Sequence, residues 1–290
     1  MPRHQPTPHT PLTGPLCLPS SPTCAQPLLQ PLLALAMDRS VPTNCSMLLL
    51  RTANPAFGYP NSNKDWVAPL FLETLMPNDA KEIAGGPTLY ARFRRALFEA
   101  PCVGVPGMVG DLDARTQWFD ARLAAALDAG VRQVVVLAAG YDSTAYRHAR
   151  AGVNYFELDL PAASAAKRAL VDAVLPDAER HPRPAFIAAD LATTPLAGAL
   201  AGSGFDPSQP TFWLVQGLVY YLPAAAFGSM LASVRDLSAP ASRLTFDFLR
   251  LSALSGARLT GGLEVMSLAV AMRGEPFLSA ADDAPGAVQE

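Results

Sequence analysis

The chain has 290 residues, 25 acidic against 22 basic side chains and 50% apolar residues, enough to bury one sizeable core or a core plus a cap. A formal net charge of −3 and the lack of any Lys/Arg run argue against nucleic-acid binding, which needs clustered cations to neutralise phosphates. No apolar stretch free of charge and Pro reaches the roughly 18 residues that a bilayer crossing needs, so a soluble, cytoplasmic chain without a membrane partner is expected. Cys17, Cys24, Cys45 and Cys102 form no CxxC pair, and only His148 and His181 lie beyond the first ten residues. Neither a metal site nor a disulfide framework is expected.

Residues 1–36 carry nine prolines, each without a backbone donor and with fixed φ, so this tail is expected to be disordered. Its lack of acidic residues is one trait of an organellar import signal; the other reading is that Met37 is the true start and the tail an upstream extension. From Lys64 the pattern turns helical. Trp66, Leu70, Phe71 and Leu75 share one face, and after Gly85-Gly86-Pro87 a second run groups Leu89, Phe93, Leu97 and Phe98. Both are assigned to a helical cap within residues 37–110. A third helix is expected over residues 112–128, where Trp118, Phe119, Leu123 and Leu127 recur near the helical period before Gly130 stops it.

Five short β-type runs follow: Gln133–Ala138, Val153–Leu158, Ala185–Ala189, Thr211–Gln216 and Arg243–Phe248. Helical stretches separate them, such as Ala224–Leu237 with Phe227, Met230, Leu231, Val234 and Leu237 on one face. Parallel strands need crossovers, and right-handed crossovers pack a helix on each. The expected fold is therefore α/β, a doubly wound, mostly parallel Rossmann-like sheet over residues 111–290.

The segment Val134 to Arg147, VVVLAAGYDSTAYR, is an apolar strand that breaks at Ala138-Ala139-Gly140 and enters a helix at Asp142. Small residues at such a turn let a ligand approach the backbone, and Asp142 can cap the helix that follows. The second strand ends Glu157-Leu158-Asp159, placing carboxylates 17 and 19 residues after Gly140, where an acidic side chain can accept both hydroxyls of a ribose. Asp159 is the expected contact, the alternative being a cap for the helix opened by Pro161. Asp190 and Leu191 close the third strand, where an Asp can meet an adenine amino group and a Leu can cover the ring; a surface turn is the competing reading. A nicotinamide-dependent oxidoreductase is the rival class, but its fingerprint wants a Gly where Ser143 stands.

Five ordered segments then resemble one family: ARTQWFD and AGVRQVVVLAAGYDSTAYR within Ala114–Arg147, YFELDLP, the pair Asp190-Leu191, and GFDPSQPTFWLVQGLVYYLP. Together they are similar to the leucine carboxyl methyltransferase family, class I S-adenosylmethionine-dependent O-methyltransferases, over residues 111–276. The resemblance implies S-adenosyl-L-methionine as cofactor and a carboxylate or hydroxyl acceptor, on a protein C-terminus or a small metabolite. It implies that Arg115 grips the donor's carboxylate, that Ala138, Gly140 and Asp142 form the turn beneath it, and that Asp159 holds its ribose. Asp190 and Leu191 resemble the adenine-side pair, and Gln216 and Tyr221 would face donor and acceptor. Three positions depart from the family pattern: Ala138 replaces a usual Gly, Gln216 a usual Glu, and Asp142-Ser143-Thr144 a frequent Asp-Thr-Arg.

Members of the family continue through two more strands after the fifth. Their absence here would leave an apolar edge at residues 243–248, covered by a partner or by dimerisation, or else exposed in a truncated, inactive product. After a helix expected around Glu264–Met272 the chain ends in an Ala- and Asp-rich stretch. A carboxylate acceptor needs no general base, in keeping with the scarcity of histidine; His148 is expected on the surface, while Tyr220 and Tyr221 could orient an acceptor.

Overall fold

A computed structural model describes residues 43–86, 88–100, 105–250, 266–267 and 270–281. The Pro-rich tail, Met37, Cys102 and Glu264 lie outside the described residues. Among the described residues five helices precede the sheet: α1 (Thr43–Ala56), α2 (Ala68–Leu75), α3 (Pro77–Ala84), α4 (Leu89–Phe98) and α5 (Met108–Asp128). The chain then alternates β1 (Gln133–Leu137), α6 (Thr144–Arg147), β2 (Asn154–Asp159), α7 (Pro161–Val174), β3 (Ala185–Ala188), α8 (Leu196–Leu200), β4 (Thr211–Val215), a 3₁₀ turn (Val219–Tyr221), α9 (Ala224–Asp236) and β5 (Arg243–Phe246).

Among the described residues all four strand pairings are parallel, in the order β3-β2-β1-β4-β5. This is the doubly wound topology expected from strands separated by helices, and the order reverses between β1 and β4. β1 and β4 are buried along their whole length, which is why both are nearly uninterrupted apolar runs rather than alternating ones. Their alternate side chains serve opposite faces. Val134, Val136, Phe212 and Leu214 pack with Phe119, Leu123 and Leu127 of α5, while Val135, Leu137, Trp213 and Val215 pack with Leu196 and Leu200 of α8 and Val234 of α9. Gly130, at φ +98°, ends α5 and turns the chain into β1, a conformation Gly adopts without the Cβ penalty.

The helices α1 and α2 pack against α5 and α7. Leu48 of α1, Phe71 and Leu72 of α2, and Leu170 and Val171 of α7 form one apolar cluster with Tyr146. Leu50 and Ala53 of α1 meet Val109 and Leu112 of α5 in another. Three expected contacts are corrected. Trp66 precedes α2 and is 44% exposed, although Phe71 of the same face is buried with Leu70 and Leu75 packed beside it, and Leu89 and Phe93 of α4 are 86% and 63% exposed. Trp118 is likewise exposed and only Phe119, Leu123 and Leu127 of its stripe are buried. Of the helix expected near the C-terminus, Met266, Ser267, Val270 and Ala271 are helical. Among the described residues no strand pairs with β5 on its outer side, and Arg250 makes an isolated bridge with Ala281. No helix of the described residues is long and apolar enough to cross a membrane.

Candidate functional site

The carboxyl ends of β1, β2 and β4 open into a cavity of about 630 Å³, a size suited to a nucleoside-sized ligand. It lies where the strand order reverses, the position at which open α/β sheets take their ligands. Its floor is the turn after β1. Ala138 there has φ +52° and Gly140 φ +43°, and no heavy atom lies within 4 Å of where a Gly140 Cβ would stand. A bound group can therefore lie directly on this backbone.

Asp159, the last residue of β2, reaches under the same turn. Its Oδ2 accepts the Gly140 N–H at 2.6 Å and its Oδ1 accepts the Leu160 N–H at 2.7 Å. A carboxylate offers about four lone-pair sites, so two acceptor positions remain beside the cavity that Asp159 lines. Asp142 caps the start of α6 through Oδ1 to the Thr144 N–H at 2.8 Å, as its sequence position suggests, and also lines the cavity. Glu157 does not share the site. It is buried and ion-paired with Lys167 of α7 at 2.6 Å, and burial pushes its carboxyl up to about 7 despite that partner.

Across the cavity Arg115, from α5, presents its guanidinium. Nη1 donates to Asp247 Oδ2 at 2.7 Å and lies 3.4 Å from the Tyr220 hydroxyl, while Nε is buried without a hydrogen-bond partner. Arg115 lines the cavity, and a guanidinium there is suited to an anionic ligand group. Gln216 at the end of β4 and Tyr220 and Tyr221 in the 3₁₀ turn complete this side. Burial raises both phenols, Tyr220 to about 12, and the neighbouring Asp247 pushes Tyr220 further in the same direction.

The structure thus brings Arg115, Ala138, Gly140, Asp142, Asp159, Gln216 and Tyr221 to one cavity. Asp190 and Leu191 are not among the residues that line it. Asp190 turns its Oδ1 to the Ala192 N–H at 2.9 Å, the arrangement of a surface turn, and Leu191 packs into the core cluster beneath. They follow β3, the outermost strand on that side, with β2 between them and the turn. His148 is corrected. Its side chain is mostly buried and its Nε2 lies 3.1 Å from Asp120 Oδ1.

Sequence reasoning missed three contributors. One face of α1, through Thr43, Asn44, Met47, Leu48 and Arg51, walls the cavity; its spacing of one, four and five residues was the available signal. A C-terminal strap also lines it with Gly274, Glu275, Pro276 and Leu278, held by the Leu278 N–H donating to the Tyr220 carbonyl at 2.7 Å and by Phe277 against both tyrosine rings. Asp247 is the third, and an acid ending β5, like those ending β2 and β3, could have marked it.

This topology with a ligand cavity at its switch point places the chain among doubly wound α/β proteins whose ligands rest on the first strand's turn. The model of the leucine carboxyl methyltransferase family matches residues 70–235, more than half of the chain; the chain belongs to that family. A Parafrankia protein, provisionally named an S-adenosyl-L-methionine-dependent methyltransferase, is 39% identical over 63% of this chain and 55% of its own. Similarly named proteins from a Mycobacterium species and from Mycobacterium avium are 46% and 34% identical, over 44% and 62% of this chain and 42% and 62% of theirs. The chain therefore spans about half the length of the curated relatives it matches. A DUF574-family protein from Streptomyces avermitilis superposes with a TM-score of 0.48 at 17% identity, covering 79% of this chain and 76% of that one.

Proposed function

We propose that the chain is an S-adenosylmethionine-dependent O-methyltransferase acting on a carboxylate or hydroxyl of a protein C-terminus or a small metabolite. The observation that carries this is the pairing, across one cavity, of a hydroxyl-binding acid, Asp159, with a guanidinium, Arg115, whose buried Nε lacks a partner. Such a pair complements a ligand with a ribose at one end and a carboxylate at the other, and the family and the provisional names of its relatives agree with that ligand. When bound, the donor supplies an electrophilic methyl group on a sulfonium.

The chain's own residues hold and align. Arg115 takes the donor's carboxylate, Asp159 its ribose hydroxyls, and the Ala138–Gly140 turn supports it from below. Met47 and Leu48 of α1 and Leu278 of the strap supply apolar walls that limit water, and displacement at a methyl group needs little beyond alignment in such a place. Tyr220 and Tyr221 stay protonated because burial raises both, so they orient an acceptor by donating hydrogen bonds rather than by removing its proton. An acceptor that is already an anion suits this arrangement best, which favours a carboxylate. Residues 37–110 are assigned to the acceptor side, through the α1 face.

A nicotinamide oxidoreductase is disfavoured by Ser143, whose buried hydroxyl donates to Asp65 Oδ2 at 2.7 Å where a dinucleotide fold has a Gly for close helix packing. The test is transfer of a labelled methyl group from S-adenosylmethionine to carboxyl and hydroxyl acceptors, followed by alkali. Alkali-labile label that volatilises as methanol supports an ester product; alkali-stable label rules out carboxylate transfer.

A further inference from the structure

Asp247 follows the last residue of β5, and it holds two other elements at once. Its Oδ1 accepts the Gly217 N–H at 2.7 Å, from the turn after β4, and its Oδ2 accepts Arg115 Nη1 at 2.7 Å, from α5. Both side chains of the ion pair are mostly buried, at 20% exposure for Arg115 and 18% for Asp247. Gly217 has φ +74°, and a Cβ there would meet the Tyr220 hydroxyl at 3.5 Å and Arg115 Nη1 at 3.9 Å. The turn thus brings a bare backbone N–H beside the guanidinium, and one carboxylate spans both.

We propose that Asp247 is a positioning residue for the methyl-donor site: by fixing Nη1 of Arg115 it holds the guanidinium in place at the cavity for the donor's carboxylate. The claim rests on the reading of the cavity as a methyl-donor site. A guanidinium is planar and rigid, so fixing one corner fixes the direction of the remaining edge. Here the fixed corner is Nη1, and the buried Nε has no partner. Asp247 is not among the cavity's lining residues and both its oxygens are engaged, so it acts through Arg115 and does not touch the ligand.

The experiment is a double-mutant cycle on binding of S-adenosylhomocysteine, by calorimetry with the 290-residue chain. Asp247→Ala would leave a buried guanidinium unpaired, so the isosteric Asp247→Asn is used, with Arg115→Ala and the double variant. Asp247→Asn is expected to weaken binding about tenfold in the parent chain, the scale of one lost hydrogen bond to a charged group. In the Arg115→Ala background it should change affinity by less than about twofold, since the residue through which it acts is gone. An equal loss in both backgrounds, no loss in either, or a lowered urea midpoint with affinity unchanged each overturns the positioning role. A parent chain that does not bind S-adenosylhomocysteine contradicts the cavity reading itself, whatever the variants do.

Discussion

The Asp159 carboxylate accepts the Gly140 N–H at 2.6 Å, so the acid that ends β2 and the turn that ends β1 form one unit. The two strands are in parallel register, Leu137 opposite Leu158, which carries both ends to the same level. Substituting Asp159 by Asn keeps the shape but removes the charge and half the acceptor capacity. Its expected effect is a loss of donor affinity of about 1.5–3 kcal/mol, read by calorimetry. Unchanged affinity would reduce Asp159 to a structural cap of the turn.

Ala138 sits at φ +52°, where an L side chain crowds its own carbonyl at about 1–2 kcal/mol. Ala138→Gly relieves that strain at some cost in unfolded-state entropy. A net gain of about 0.5–1 kcal/mol is expected in urea unfolding, with ligand affinity retained because the cavity floor only loses a methyl group.

The Glu157–Lys167 pair makes stability depend on pH. Burial raises the Glu157 carboxyl from its ordinary 4.5 to about 7 in the fold. Between those values the unfolded chain releases the proton and the native chain keeps it, so stability falls as pH rises from about 4.5 to about 7, by up to about 3 kcal/mol. Below the window both states are protonated, and above it neither is. Glu157→Gln should flatten this slope in denaturation curves taken across the window; a slope of the same size in that variant would place its origin elsewhere.

Asp65 ties the α1 wall to the turn. Burial alone would raise its carboxyl, yet Arg51 and Arg147 hold it below the ordinary range, Arg51 of α1 at 3.1 Å and Arg147 of α6 at 3.5 Å. Arg147 continues the network through a second short contact with Asp120. Asp65→Ala leaves two buried guanidinium groups short of a partner and should cost about 3–5 kcal/mol. Hydrogen exchange should show protection lost first in α1, and a variant as protected as the parent would contradict this anchoring.

The sheet was legible because β1 and β4 are apolar throughout and Gly or Pro punctuates the connections. Asp159 and Gly140 were legible because their spacing follows from strand, crossover and strand. α1 was not, since Asn54-Pro55 closes a run of mixed polarity whose buried face emerges only against α5 and α2. Asp190 and Leu191 follow an equally acidic strand end, yet local pattern does not tell which strand lies outermost. Asp247 escaped notice for a related reason: its partners are 30 and 132 residues away in the chain, and such pairings are set by topology.

The central claim is that the cavity at the β1/β4 switch point binds the methyl donor. It is tested most directly by calorimetric titration with S-adenosylmethionine and S-adenosylhomocysteine, with NAD and NADP as controls. Saturable binding of the two sulfur ligands, abolished or weakened at least tenfold by Arg115→Ala and by Asp159→Asn, is the predicted result. Binding of the dinucleotides in preference to them, or no binding by a folded chain, would contradict it.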